Sequence, residues 1–177
     1  GESNTGGLPT VFVRLTGCPL RCGYCDSEYA FYGGERLLID DILAKVASFN
    51  PRYICVTGGE PLAQRECLTL LSALCDAGYS VSLETSGALP VDDVDPRVIK
   101  VMDLKTPGSG EVGRNRWENI PLLTAQLQSL AGSPSHPVVR LPIGESWMIK
   151  QVLDIGAQTI LVPMIENVLA SFSVTLA

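Results

Sequence analysis

Apolar and polar positions alternate along this chain in blocks of two different periods. The run TVFVRL (10–15) is short, β-branched and almost wholly apolar, as a buried strand is. It is followed by LIDDILAKVASF, where Ile39, Ile42, Leu43 and Val46 fall on one helical face. RYICVT (52–57) has the strand pattern again. In PLAQRECLTLLSALCDAG, Cys67, Leu68, Leu71, Leu74 and Cys75 recur at helical spacing, with Pro61 suited to a first helical position. YSVSLET (79–85), the turn SGALP and VIKVMDL (98–104) predict two further strands. Beyond them WENIPLLTAQLQSLAG predicts a helix, HPVVRLP a strand, SWMIKQVLDIG a helix and QTILVP a last strand. Strands alternating with helices predict an α/β fold with a parallel sheet, which right-handed crossovers curl into a partial or closed (β/α) barrel.

On this layout the chemically distinctive residues share one rim. Cys18 follows the first strand, Gly58, Gly59 and Glu60 the second, Thr85 and Ser86 the third, and Asp103 and Lys105 the fourth. The carboxyl ends of parallel strands are where such folds place their chemistry.

Composition sharpens the setting. The 177 residues, 46% hydrophobic and 18% charged, suit one globular domain. A net charge of −6 without basic clusters argues against a nucleic-acid partner and favours a small molecule. No apolar run approaches the ~20 residues that span a bilayer, and GESNTGGLPT lacks the basic start and apolar core of a signal peptide. The expected location is the cytoplasm, where thiols stay reduced and six cysteines are not a disulfide framework. Cys55, Cys67 and Cys75 lie in apolar patterns and read as small core residues.

Cys18, Cys22 and Cys25, in TGCPLRCGYCDS, fall outside those patterns. A zinc site requires a fourth ligand, and the only histidine, His136, is far along the chain. A redox dithiol matches CGYC (22–25), but no helix follows at once and Cys18 is left over. Three thiolates on a four-iron cluster, with one iron open to a chelating ligand, employ all three.

The three-then-two cysteine spacing, with Tyr24 before the third cysteine, resembles the signature of the radical S-adenosylmethionine (SAM) superfamily. TGGEP (57–61) strengthens it, since that superfamily's second strand ends in a Gly-Gly-Glu-Pro turn beside the SAM amino group. The resemblance implies a 4Fe-4S cluster whose open iron chelates SAM, and an electron that cleaves SAM to a 5'-deoxyadenosyl radical. Paired glycines allow close approach of a ligand, and Glu60 would offer structure or charge beside an ammonium.

GESNTGGLPTVFVRLTGCPLRCGYCDS, VTGGEPL, LETSG and VMDLKTPGSGE with RNRWEN are, over about residues 1–125, similar to the 7-carboxy-7-deazaguanine synthase family. It makes 7-carboxy-7-deazaguanine from 6-carboxy-5,6,7,8-tetrahydropterin, with loss of ammonia, in queuosine and deazapurine biosynthesis. The resemblance implies a lyase that uses Mg²⁺ as well as SAM. Arg14 and Thr57, with Gly1 and Glu2, would hold the pterin. Gly58, Gly59, Glu60, Ser86, Asp103 and Lys105, with Tyr24 and Asp26, would serve SAM and the cluster, and Ser27 would be a magnesium ligand. An electron donor such as flavodoxin is implied, and a homodimer is compatible. A cluster-binding scaffold, or an activating enzyme acting on a protein, is the alternative.

From about residue 123 to 167 the chain instead resembles an internal stretch of the HpcH/HpaI 2-keto-acid aldolases. Arg140 stands where that family holds its keto acid, while the stretches carrying its metal-binding carboxylates and catalytic histidine are missing. One domain with a composite end is therefore expected, its ring-contraction activity weak and its aldolase activity absent.

Overall fold

The computed structural model describes residues 5, 7–105, 107–120 and 122; of the rest it describes only Lys150 and the backbone of 138–140 and 159–161. The chain divides into two compact units, residues 1–122 and 123–177, where the sequence predicts one domain with a composite end.

The first unit holds β1 (Thr10–Leu15), α1 (Ile39–Ala47), β2 (Tyr53–Gly58), α2 (Cys67–Asp76), β3 (Ser80–Thr85) and β4 (Ile99–Met102). The four strands form one parallel sheet in the order β1-β2-β3-β4. Each crossover places its chain on one face, and there the core forms. Val11, Val13 and Leu15 of β1, Ile54 and Val56 of β2, and Val81 and Leu83 of β3 pack with Ile39, Ile42, Leu43 and Val46 of α1 and with Cys67, Leu70, Leu71 and Leu74 of α2. Asp40 and Asp41 in the first turn of α1 and Lys45 in its last turn complement the helix dipole. Arg97 joins Asp95 and Asp76, the last residue of α2, through bonds of 2.6 and 2.8 Å.

The helix expected from Pro61 onward is broken in two. Pro61–Ala63 is a single 3₁₀ turn, Gln64 is extended (φ −90°, ψ 125°), and α2 begins only at Cys67. The Gln64 carboxamide donates to the Thr16 carbonyl at 2.8 Å, so a contact to the loop after β1 replaces a helical turn. The expected helix from Trp117 starts as a 3₁₀ turn, Trp117–Asn119, whose Asn119 carboxamide donates to the carbonyls of Gly87 and Leu89. Of the second unit, β5 (Val138–Arg140) pairs in parallel with β6 (Thr159–Leu161). The remaining elements expected there, His136, and the side chain of Arg140 lie outside the described residues.

Candidate functional site

Side chains that alternate away from the core line the other face of the sheet. Phe12 and Arg14 of β1 are exposed there, and the register sets Phe12 beside Cys55 and Arg14 beside Thr57. Thr57, buried, donates through its hydroxyl to the Glu84 carboxylate at 3.0 Å. A cation, a hydroxyl and a carboxylate thus stand on successive strands near the carboxyl end of the sheet. Glu84 is not among the residues the sequence singles out; its place in LETSG, alternating with Leu83, was the available signal. The Arg14 guanidinium reaches the Gly58 carbonyl at 3.4 Å and lies 5.4 Å from the centre of the Tyr29 ring.

The Gly-Gly-Glu-Pro turn abuts the cysteine loop directly. Gly59 N–H donates to the Leu15 carbonyl at 3.2 Å and Glu60 N–H to the Gly17 carbonyl at 2.8 Å. A Cβ on Gly58 would stand 1.9 Å from the Leu15 carbonyl oxygen, and one on Gly59 would stand 2.4 Å from that of Gly17 and 2.8 Å from Cys18 Cβ. The paired glycines therefore admit a neighbouring stretch of protein at close range.

Of the two roles the sequence allows Glu60, structure or charge beside an ammonium, the hydrogen bonds display the structural one, an internal clamp. Glu60 is 0% exposed. Its carboxylate accepts from Thr85 Oγ1 at 2.9 and 3.0 Å, from Ser86 N–H at 2.7 Å, from the Ser86 hydroxyl, and from Leu62 N–H at 3.1 Å. A buried carboxylate needs such donors. They also fix Ser86 at the end of β3, behind the turn.

Cys18, Cys22 and Cys25 are free, half-buried thiols in the loop after β1, and Tyr24 between them is exposed. Among the described residues, no three His, Cys, Asp or Glu side chains are grouped tightly enough to hold one metal ion. Three soft thiols in one loop, near enough that the charge of Cys25 acts on both Cys18 and Cys22, suit a four-iron cluster, in which each sulfur takes a different iron. Burial pushes the Cys18 thiol up, against a backbone hydrogen bond from Leu20. Burial raises Cys22 too, and the Lys105 ammonium offsets part of the rise. Binding iron must therefore displace protons from these two sulfurs.

Lys105 donates to Asp103 Oδ2 at 2.6 Å. Burial acts against its charge, yet the hydrogen bond and charge of Asp103 outweigh it and raise the ammonium pKa, so Lys105 stays a cation beside the cysteines. Its backbone N–H and C=O are both held at 2.8 Å by the Asn115 carboxamide. Ser27 donates to Asp26 Oδ1 at 2.7 Å, which pairs two oxygen-bearing side chains next to Cys25. Gly1 and Glu2 lie outside the described residues.

Residues 12–103 match the model of the radical SAM superfamily. The chain belongs to that superfamily. Membership implies a 4Fe-4S cluster and SAM, and the three free thiols in the loop after β1 fit it. Residues 113–170 match the HpcH/HpaI aldolase/citrate lyase model. The chain is 48% identical over 126 residues to the 7-carboxy-7-deazaguanine synthase of Koribacter versatilis (strain Ellin345), covering 70% of this chain and 56% of that one. It is 49% identical over 122 residues to the synthase of that name from Chlorobaculum tepidum, covering 69% and 56%. The chain thus spans about half the length of these curated relatives. Among solved structures it resembles QueE from Escherichia coli (TM-score 0.56, 22% identity, 89% of this chain and 86% of that one). It also resembles Streptococcus suis SuiB bound to its precursor peptide (TM-score 0.56, 17% identity, 84% and 36%). Both likenesses concern the fold. Among the described residues no helix is long and apolar enough to cross a membrane.

Proposed function

We propose that this radical SAM chain carries out the synthase chemistry of its named relatives, forming 7-carboxy-7-deazaguanine from 6-carboxy-5,6,7,8-tetrahydropterin with loss of ammonia. The observation that carries the proposal is the Arg14, Thr57 and Glu84 row beside the cysteine loop, within residues 12–103 that match the radical SAM model. When bound, the cluster and SAM supply a carbon radical able to remove a hydrogen atom.

The chain's own residues bind and orient. Cys18, Cys22 and Cys25 hold the irons, and Gly59, Ser86 and Lys105 face SAM, with Lys105 as a fixed cation for its carboxylate. The Arg14 guanidinium is a fork for the pterin carboxylate. Thr57 and Glu84 present a hydroxyl and an acceptor to the ring's N–H groups. Ser27, with Asp26, offers oxygens to Mg²⁺, a hard cation. Glu60 and Gly58 stand behind this arrangement as its frame. The electron comes from a low-potential donor such as flavodoxin, and the reaction belongs in the cytoplasm. Residues 123–177, aldolase-like in sequence as far as residue 170, lower turnover, because a misplacement of about 1 Å at the reacting centre costs large factors in rate.

Anaerobic loading with iron and sulfide, followed by incubation with SAM and the pterin acid, tests the proposal through the deazaguanine product. Arg14→Ala should weaken pterin binding by about 1.5 to 3 kcal/mol and leave SAM binding unchanged. Equal loss of both affinities would make Arg14 structural. SAM cleavage triggered by a protein instead of the pterin would transfer the chain to the activating enzymes. Exchange of residues 123–177 for a synthase ending should raise turnover, and an unchanged rate would clear the tail of blame.

A further inference from the structure

The loop that carries Cys18, Cys22 and Cys25 has no helix or strand of its own to hold its shape. Its fixed points come from elsewhere. Gly23 N–H donates to the Ser109 carbonyl at 2.9 Å, and Arg21 N–H donates to Glu111 Oε1 at 2.6 Å, across ninety residues of sequence. The Arg21 guanidinium turns back on the same loop, donating through Nη1 to the Cys18 carbonyl at 2.7 Å and to the Leu20 carbonyl at 2.6 Å. It also lies 4.4 Å from the centre of the Phe31 ring.

Glu111 is itself set. Its N–H donates to Ser109 Oγ at 3.0 Å, Ser109 is buried at the end of the 3₁₀ turn Pro107–Ser109, and Gly110 turns the chain between them at φ 74°. Residues 107–111 therefore form a strap laid against the cysteine loop. Its one charged side chain accepts from the backbone of the residue between Cys18 and Cys22 whose own side chain ties down two loop carbonyls.

We propose that Glu111 is a positioning residue for the iron-binding loop: through Arg21 it holds the backbone between Cys18 and Cys22 in the shape that receives a cluster. The proposal needs the three-cysteine site and not the identity of the substrate. Without the carboxylate, the Arg21 amide has no acceptor from the strap, and the guanidinium must hold the two carbonyls alone. Gln keeps an acceptor at the same place and Ala does not.

The test compares the wild-type chain with Glu111→Ala, Glu111→Gln and Arg21→Lys. In the metal-free protein, amide exchange at Arg21 and Gly23 is read by mass spectrometry or NMR; in the loaded protein, iron release to a chelator is timed. Glu111→Ala should speed both by about tenfold, the worth of one hydrogen bond to a charged group. Glu111→Gln should stay within about threefold of wild type. Arg21→Lys, which loses the fork, should release iron faster. Wild-type rates in Glu111→Ala would overturn the proposal, as would a Gln variant no better than Ala. It is equally overturned if exchange accelerates throughout β1 to β4 together with a large fall in melting temperature, since the effect is then fold-wide. Missing deazaguanine product with these rates as expected counts against the substrate proposal alone.

Discussion

The cysteine loop and the Gly-Gly-Glu-Pro turn touch through a backbone hydrogen bond from Glu60 to Gly17, beside one from Gly59 to Leu15 at the end of β1, yet they are built by opposite means. The turn is dry and fully committed: Glu60 is 0% exposed, its carboxylate is met by donors from β3 and from the turn itself, and Gly58 leaves no room for a methyl group. The loop is half-open, its thiols unbonded to one another, and it is secured from outside through Arg21, Glu111 and Ser109. One motif is a keystone of the fold and the other a socket. Two motifs that serve one site can thus differ completely in what they contribute to stability.

Breaking the keystone should give the largest effect. Gly58→Ala drives a Cβ into the Leu15 carbonyl oxygen, 1.9 Å away, and main chain cannot step aside as a flexible side chain can. A loss of about 3 kcal/mol or more in urea unfolding is expected. Glu60→Ala, which strands the buried donors of Thr85 and Ser86, should cost about 2 to 4 kcal/mol. Either variant unfolding at the wild-type midpoint would mean that the turn is not the frame described.

The socket should behave in the reverse way. Cys22→Ala should leave the metal-free protein within about 1 kcal/mol of wild type while abolishing the broad absorbance of the loaded cluster. Cys67→Ala should keep that absorbance, because Cys67 is buried in α2 behind the sheet. A full cluster in the Cys22→Ala protein would refute the assignment of ligands.

Alkaline pH sharpens the contrast by the smallest margin. Burial pushes the Cys67 thiol from 9.0 up to about 12, with the Glu60 charge adding to it, and burial does the same for Cys55. The unfolded chain releases these protons from about pH 9, while the folded chain keeps them to about pH 12. Stability is therefore whole below about pH 9 and should fall as pH rises toward 12. Denaturation of the metal-free protein across this range should be less steep in Cys67→Ala, and an unaltered slope would show that the thiol is not the group responsible.

By itself the sequence determined what depends on short range. The periodicity of TVFVRL, RYICVT and LIDDILAKVASF was enough for the parallel α/β order, because side-chain direction repeats every two residues in a strand and every 3.6 in a helix. The spacing of Cys18, Cys22 and Cys25 named their chemistry because a loop that short keeps its thiols together however it folds. Tertiary structure decided what depends on which strand lies beside which. Glu84 meets Thr57 only through pairing of β2 with β3, and Glu111 meets Arg21 only when the chain after β4 returns to the first loop. Pro61 looks like a helix start until Gln64 is drawn off to Thr16. That Gly58 admits the Leu15 carbonyl and that Glu60 clamps Thr85 and Ser86 emerges only when the strand ends stand side by side. Local backbone preference amounts to tenths of a kcal/mol per residue, whereas one buried carboxylate or one carbonyl at 1.9 Å from a would-be Cβ amounts to several, so packing has the last word at these positions.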